Sequence, residues 1–189
     1  MDDYSYLLSD IETEYKKYLD LIIKKKYNQI KPQCEAALQK IDSLKKIVPS
    51  NNANNNNNLE NFKSELNSSS EVILDPIYLI TKYKYSKIYI NALSLLKKIV
   101  SYNLIKDTEY IKIINFLKDF FFNTQNEDIQ LKILVILQHI ISISLIKLNE
   151  ENINNIVLIC KLENIKTHIK SIECKSAIKL LINIFIKKI

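Results

Sequence analysis

The chain has 189 residues, 47% of them apolar, no glycine, no tryptophan and three prolines. Without glycine, tight turns at positive φ are costly, which argues against hairpin-rich β folds, Rossmann turns and phosphate-cradling loops. The formal net charge of +6 rests on 27 lysines with no arginine, so bidentate phosphate or guanine readout is not expected and nucleic acid is not an expected partner.

The first predicted helix runs from about Asp3 to Lys25. Its stripe is Leu7, Leu8, Ile11, Tyr15, Tyr18, Leu19 and Ile22, and it ends in the basic run Lys24-Lys25-Lys26, read as a solvated helix end. A second follows at Pro32, which is tolerated in a first turn, and carries Cys34, Ala37, Leu38, Ile41, Leu44 and Val48 up to Pro49. Residues 50–69 contain Asn51, Asn52 and Asn54 to Asn58 and only a weak patch at Leu59, Phe62 and Leu66. They are predicted to be a mobile Asn-rich insert, because such a segment buries too little apolar surface to offset its ordering.

Helical order is expected to return at Ser68, with Pro76 in an opening turn and Val72, Ile73, Ile77, Leu79, Ile80 and Tyr83 making a short helix. Ile88 to Val100 form the fourth helix, and Tyr110 to Phe121 the fifth. The triplet Phe120-Phe121-Phe122 cannot face a single direction. Asn126 to Leu148 is apolar nearly all round, which predicts a central core helix. Its charge-free part is short of the roughly 20 residues that a membrane span needs. Two further helices are expected over Asn149–Leu162 and Ile169–Phe185.

The expectation is therefore an all-α fold, an armadillo- or HEAT-like stack of about eight helices in one domain over 1–189, with helix pairs recurring at roughly 35 to 45 residues. No consensus repeats, so the stack rests on rhythm alone. The acidic start Met1-Asp2-Asp3-Tyr4 shows no targeting segment.

Chemistry is sparse. There are two histidines, His139 and His168, and three cysteines, Cys34, Cys160 and Cys174, all within helical patterns and without metal-ligand spacing. Reduced core thiols are the expectation. Glu150 and Glu151 read as first-turn helix charges and not as a catalytic pair. No catalytic residue, metal or cofactor is expected.

Four stretches carry a family resemblance: Gln33-Cys34-Glu35-Ala36-Ala37-Leu38-Gln39-Lys40-Ile41; Ile73-Leu74-Asp75-Pro76-Ile77-Tyr78-Leu79 with Thr81-Lys82 and Ala92 to Ser101; Asp128 to Leu134; and Cys174 to Ile182. In order and spacing they resemble the amino-terminal dimerisation and cyclophilin-binding (DCB) domain of large Arf guanine-nucleotide exchange factors and of their relative, the monensin-sensitivity Golgi scaffold. The resemblance implies a non-catalytic helical module of a much larger trafficking protein. It would be cytoplasmic and peripheral at Golgi or endosomal membranes, self-associating as a homodimer or docking an adjacent helical domain. An Arf-like small GTPase is a further implied partner. The short stretch before the first helix favours the scaffold branch over the exchange-factor branch. A stand-alone HEAT-type adaptor for a peptide or small GTPase is the alternative from another class.

Eight helices in one curved layer cannot cover every apolar face. The expected interface is the end of the fifth helix, Phe120, Phe121 and Phe122, together with Ile182, Phe185, Ile186 and Ile189 of the last.

Overall fold

The computed structural model describes residues 4–49, 56–83 and 85–142, with single helical positions at 154, 155, 157, 179, 183 and 186. The described residues form an all-α helical stack with no strand. Where the sequence reading draws one domain, the chain divides into two compact units, Met1–Lys106 and Asp107–Ile189. Most of the expected seventh and eighth helices lies outside the described residues.

In the first unit, α1 (Tyr4–Lys24) buries Leu8, Ile11, Tyr15, Tyr18 and Ile22, an i, i+3, i+4 stripe. α2 (Lys31–Lys46) has Pro32 in its first turn and buries Cys34, Ala37, Ile41 and Leu44. α3 (Asn56–Tyr78) is followed by a 3₁₀ turn, Leu79–Lys82, and α4 spans Ser86–Ser101. Each helix packs on its neighbours in sequence, and α4 returns to pack on α1, so the four close on one another. α4 buries Ile88, Ala92, Leu93, Leu95, Leu96, Ile99 and Val100, more than one face of a helix.

The helix α3 corrects the expectation at 56–69. Order does not return at Ser68, which lies inside α3, and Pro76 sits near the end of that helix rather than in an opening turn. The reason is that Phe62, Leu66, Ser69, Ser70, Ile73 and Ile77 form one buried line. Two small serines occupy positions where a helix-period reading expects apolar residues. The Ser70 hydroxyl bonds back to the Leu66 carbonyl (3.4 Å) and accepts the Lys106 amide (2.9 Å), which fixes the segment after α4 against α3.

Without glycine, two helices end on other residues in the left-handed region: Lys26 (φ 58°) after α1 and Asn103 (φ 50°) after α4. Both ends are Schellman caps. Tyr27 N–H reaches Ile22 O (3.1 Å) and Lys26 N–H reaches Ile23 O (3.0 Å); Leu104 and Asn103 bond Ile99 and Val100 in the same way. Asparagine tolerates this conformation, whereas lysine carries a Cβ penalty of roughly 1–2 kcal/mol. Lys26→Gly is therefore expected to raise unfolding stability by about 1 kcal/mol, offset in part by the freer unfolded chain. Asn103→Gly should gain less. Urea unfolding of both variants checks the order, and a destabilised Lys26→Gly would contradict the cap.

In the second unit, α5 (Asp107–Asn123) and α6 (Glu127–Ser142) are joined by three residues into a helical hairpin. The Asn126 Oδ1 caps α6 by accepting the Ile129 amide (3.2 Å), and Gln130 Nε2 donates to Thr124 O (3.1 Å) across the turn. α6 buries Ile129, Ile133, Leu134, Ile136, Leu137, Ile140 and Ile141, so the helix expected at the centre of the whole chain belongs to the core of this unit. From beyond the described run, Asn155 Nδ2 donates to Asn115 Oδ1 on α5 (2.6 Å).

Candidate interaction surface

The described residues contain no group of three or more His, Cys, Asp or Glu side chains able to hold a metal ion, and no helix long and apolar enough to cross a membrane. Cys34 is buried, and burial, with the Glu35 charge second, pushes its thiol up to about 12, so it is not a thiolate nucleophile near neutrality. His139 is half-buried on α6. His168, Cys160 and Cys174 lie outside the described residues.

The expected interface separates into parts. Phe120 and Phe121 are each only 4% exposed, facing inward from α5, so the end of this helix is not the exposed apolar patch that the sequence suggests. Phe122 is half-buried, its ring perpendicular to Phe121 at 5.9 Å. On the closing segment, Ile186 is 66% exposed, and Lys179 and Asn183 are exposed with it at i, i+4, i+7 spacing. Ile182, Phe185 and Ile189 lie outside the described residues.

Within the first unit, charged side chains tie α1 to its neighbours. Lys98 on α4 donates to Asp10 Oδ1 (2.8 Å) and Glu14 Oε1 (3.1 Å), and Tyr102 OH donates to Asp10 Oδ2 (2.6 Å). Lys45 on α2 meets Glu12 (2.6 Å). Hydrogen bonds from Lys98 and Tyr102 hold Asp10 below its ordinary value near 3.8. For Glu14, burial pushes upward, but the ammonium groups of Lys17 and Lys98 outweigh it and the net direction is down. Depressed carboxylates stabilise the fold above their unfolded values, and that contribution is lost as pH falls through the lowered folded values. The melting temperature is expected to drop on acidification below about pH 4.5, and Lys98→Gln should flatten that acid limb. Superimposable acid limbs for the two proteins would remove Lys98 as the cause.

Two ends of the first unit offer surfaces. At one, Ile47, Val48, Pro49, Asn58, Asn61 and Phe62 line an open groove of about 430 Å³ between the end of α2 and the start of α3. At the other, the α1–α2 and α3–α4 connections come together. Tyr27 and Tyr83 meet edge-on at 4.6 Å, Tyr85 lies 6.5 Å from Tyr27, and the Lys25 ammonium sits 4.7 Å over the Tyr85 ring. Tyr83 OH donates to Gln29 Oε1 (3.1 Å), and Tyr89 OH donates to the Tyr83 carbonyl.

This second end was not read from the sequence, because its halves lie more than fifty residues apart. The signal that could have found it is charge: 21–34 and 76–106 contain no acidic residue.

No curated protein matches the chain. A family model does, over residues 2–188, so its match crosses the boundary between the two units. Its description is that of a dimerisation and cyclophilin-binding domain. It agrees with the resemblance carried by the Cys34, Pro76, Asp128 and Cys174 stretches. The chain belongs to the Mon2/Sec7/BIG1-like DCB domain family.

Proposed function

We propose that this chain is a non-catalytic scaffold module of a large protein in Golgi and endosome vesicle trafficking. It self-associates or docks an adjacent helical domain of its parent, in the cytoplasm and peripherally at those membranes. The family match over residues 2–188 carries the reading. The family's character as a dimerisation and cyclophilin-binding domain supports protein partners, a second copy and a cyclophilin among them. An Arf-like small GTPase belongs to the same proposal, as does an absence of catalysis.

The closing segment is taken as the self-association surface, and the exposed side chain of Ile186 is the described residue that supports it. Phe122, half-buried, is the remaining candidate on α5. Light scattering coupled to size exclusion tests this. A dimer is expected at micromolar concentration, shifted toward monomer by Ile186→Asp. A monomer at about 100 micromolar, roughly −5.5 kcal/mol of association not reached, would overturn self-association. Failure to co-purify with the following segment of the parent would then remove docking as well.

A further inference from the structure

We propose that the lysine–tyrosine end of the first unit docks an acidic peptide segment of a partner protein, one apolar side chain flanked by carboxylates. The inference stands apart from self-association, which involves the closing segment of the other unit.

Positive charge predominates at this end, where Asp20 lies one turn before Lys24 and Glu35 pairs with Lys31. Lys24, Lys25 and Lys26 close α1, Lys82 closes the 3₁₀ turn and Lys87 opens α4, and all five are exposed. Lys24, Lys26, Lys82 and Lys87 make no ion pair among the described residues. The contacts Tyr27–Tyr83 and Lys25–Tyr85 show that the two basic connections are side by side. Ammonium groups gathered without counter-charge repel one another and attract anions, and a protein anion satisfies them at a fixed place.

The rings decide which anion fits. Tyr27, Tyr83 and Tyr85 are half-buried and lie against one another, with Tyr83 also bonded to Gln29, so part of each ring is left as apolar surface among the lysines. An extended chain can lay one side chain on that surface and place carboxylates beside the lysines. A lipid surface is planar and reaches protruding groups; Ile23, 48% exposed, is the one large apolar side chain of this end that stands out. A nucleic-acid base needs an open ring face, and Lys25 covers that of Tyr85. Nor does the chain have any arginine to grip phosphate in a fork.

Fluorescence anisotropy with the full chain tests the proposal. The probe is a fluorescein-labelled peptide of alternating glutamate and aspartate around a central phenylalanine. The expected result is saturable binding that weakens by about tenfold or more between about 50 and 200 mM salt. Lys24→Glu/Lys25→Glu/Lys82→Glu should abolish it, while a cooperative circular-dichroism melt is kept because these side chains are exposed. The same peptide with glutamine and asparagine in place of its acids should not bind. Replacing its phenylalanine by serine should weaken binding severalfold.

Binding retained by the triple variant would overturn the proposal, as would indifference to the central phenylalanine. Sedimentation with vesicles containing about a third phosphatidylserine, or retention of a single-stranded oligonucleotide, together with no peptide binding, would assign the surface to a different partner and overturn it too. These outcomes leave the oligomeric state untouched, so failure here and failure of the scaffold reading are distinguishable.

Discussion

Tyr18→Ala is expected to cost about 3–5 kcal/mol of folding stability, the range for deleting a buried aromatic side chain. That is a large share of the roughly 5–15 kcal/mol that holds an ordinary domain together. The reason lies in how α1 meets α3. Tyr15 and Tyr18 have no exposed surface, and their hydroxyls cross to the proline end of α3: Tyr18 OH donates to Pro76 O (3.1 Å) and Tyr15 OH to Ile73 O. A proline inside a helix withdraws one backbone donor and crowds the preceding turn. The two phenols add donors to carbonyls in the turn around the proline and fill the space beside it. Burial pushes both hydroxyls far above the ordinary phenol value, so they stay neutral donors throughout the physiological range.

Tyr18→Phe keeps the ring and loses one hydrogen bond, worth about 0.5–1.5 kcal/mol net. Urea midpoints of the two variants separate packing from hydrogen bonding. If Phe and Ala cost the same, the hydroxyl carries the contact and the cavity argument is wrong. If neither costs anything measurable, Tyr18 is not in the core.

The same contacts show what the sequence could and could not reveal. Period alone was enough for α1, α2, α4, α5 and the start of α6, because their apolar residues recur at i, i+3 and i+4 and their first turns carry suitable residues, such as Pro32 and Asn126. It failed on the first half of α3, where asparagine-rich composition hid a stripe as sparse as Phe62, Leu66 and Ser70. A serine becomes a core residue only when a neighbour approaches closely enough to use it, and that is a tertiary fact. α6 was over-read for a related reason. An all-round apolar helix announces burial but not which elements bury it, and each unit has its own core. Family membership was legible because it depends on the order of several weak motifs. The lysine–tyrosine end was not, since Lys25 and Tyr85 meet only once the four helices have closed.

Phe121→Ala separates core from interface at the triplet where the sequence could not. Three consecutive residues on a helix are about 100° apart, so they span more than half of its circumference. The structure resolves the conflict by turning Phe120 and Phe121 inward, with Phe120 beside Phe116 at 5.9 Å, and leaving Phe122 at the margin. A ring buried in its own unit contributes to folding whether or not a partner is present. Phe121→Ala is accordingly expected to cost about 3–5 kcal/mol in denaturant unfolding, measured at dilute concentration where association does not contribute. Phe122→Ala should cost much less, on the order of 1 kcal/mol, because its ring is partly in water before the change. For association the order reverses: Phe122→Ala is the substitution that shifts a light-scattering dimer toward monomer if α5 takes part. A stable Phe121→Ala that nonetheless dissociates a dimer would return the triplet to the interface, and would mean that the inward packing of Phe121 exists only within the assembled pair.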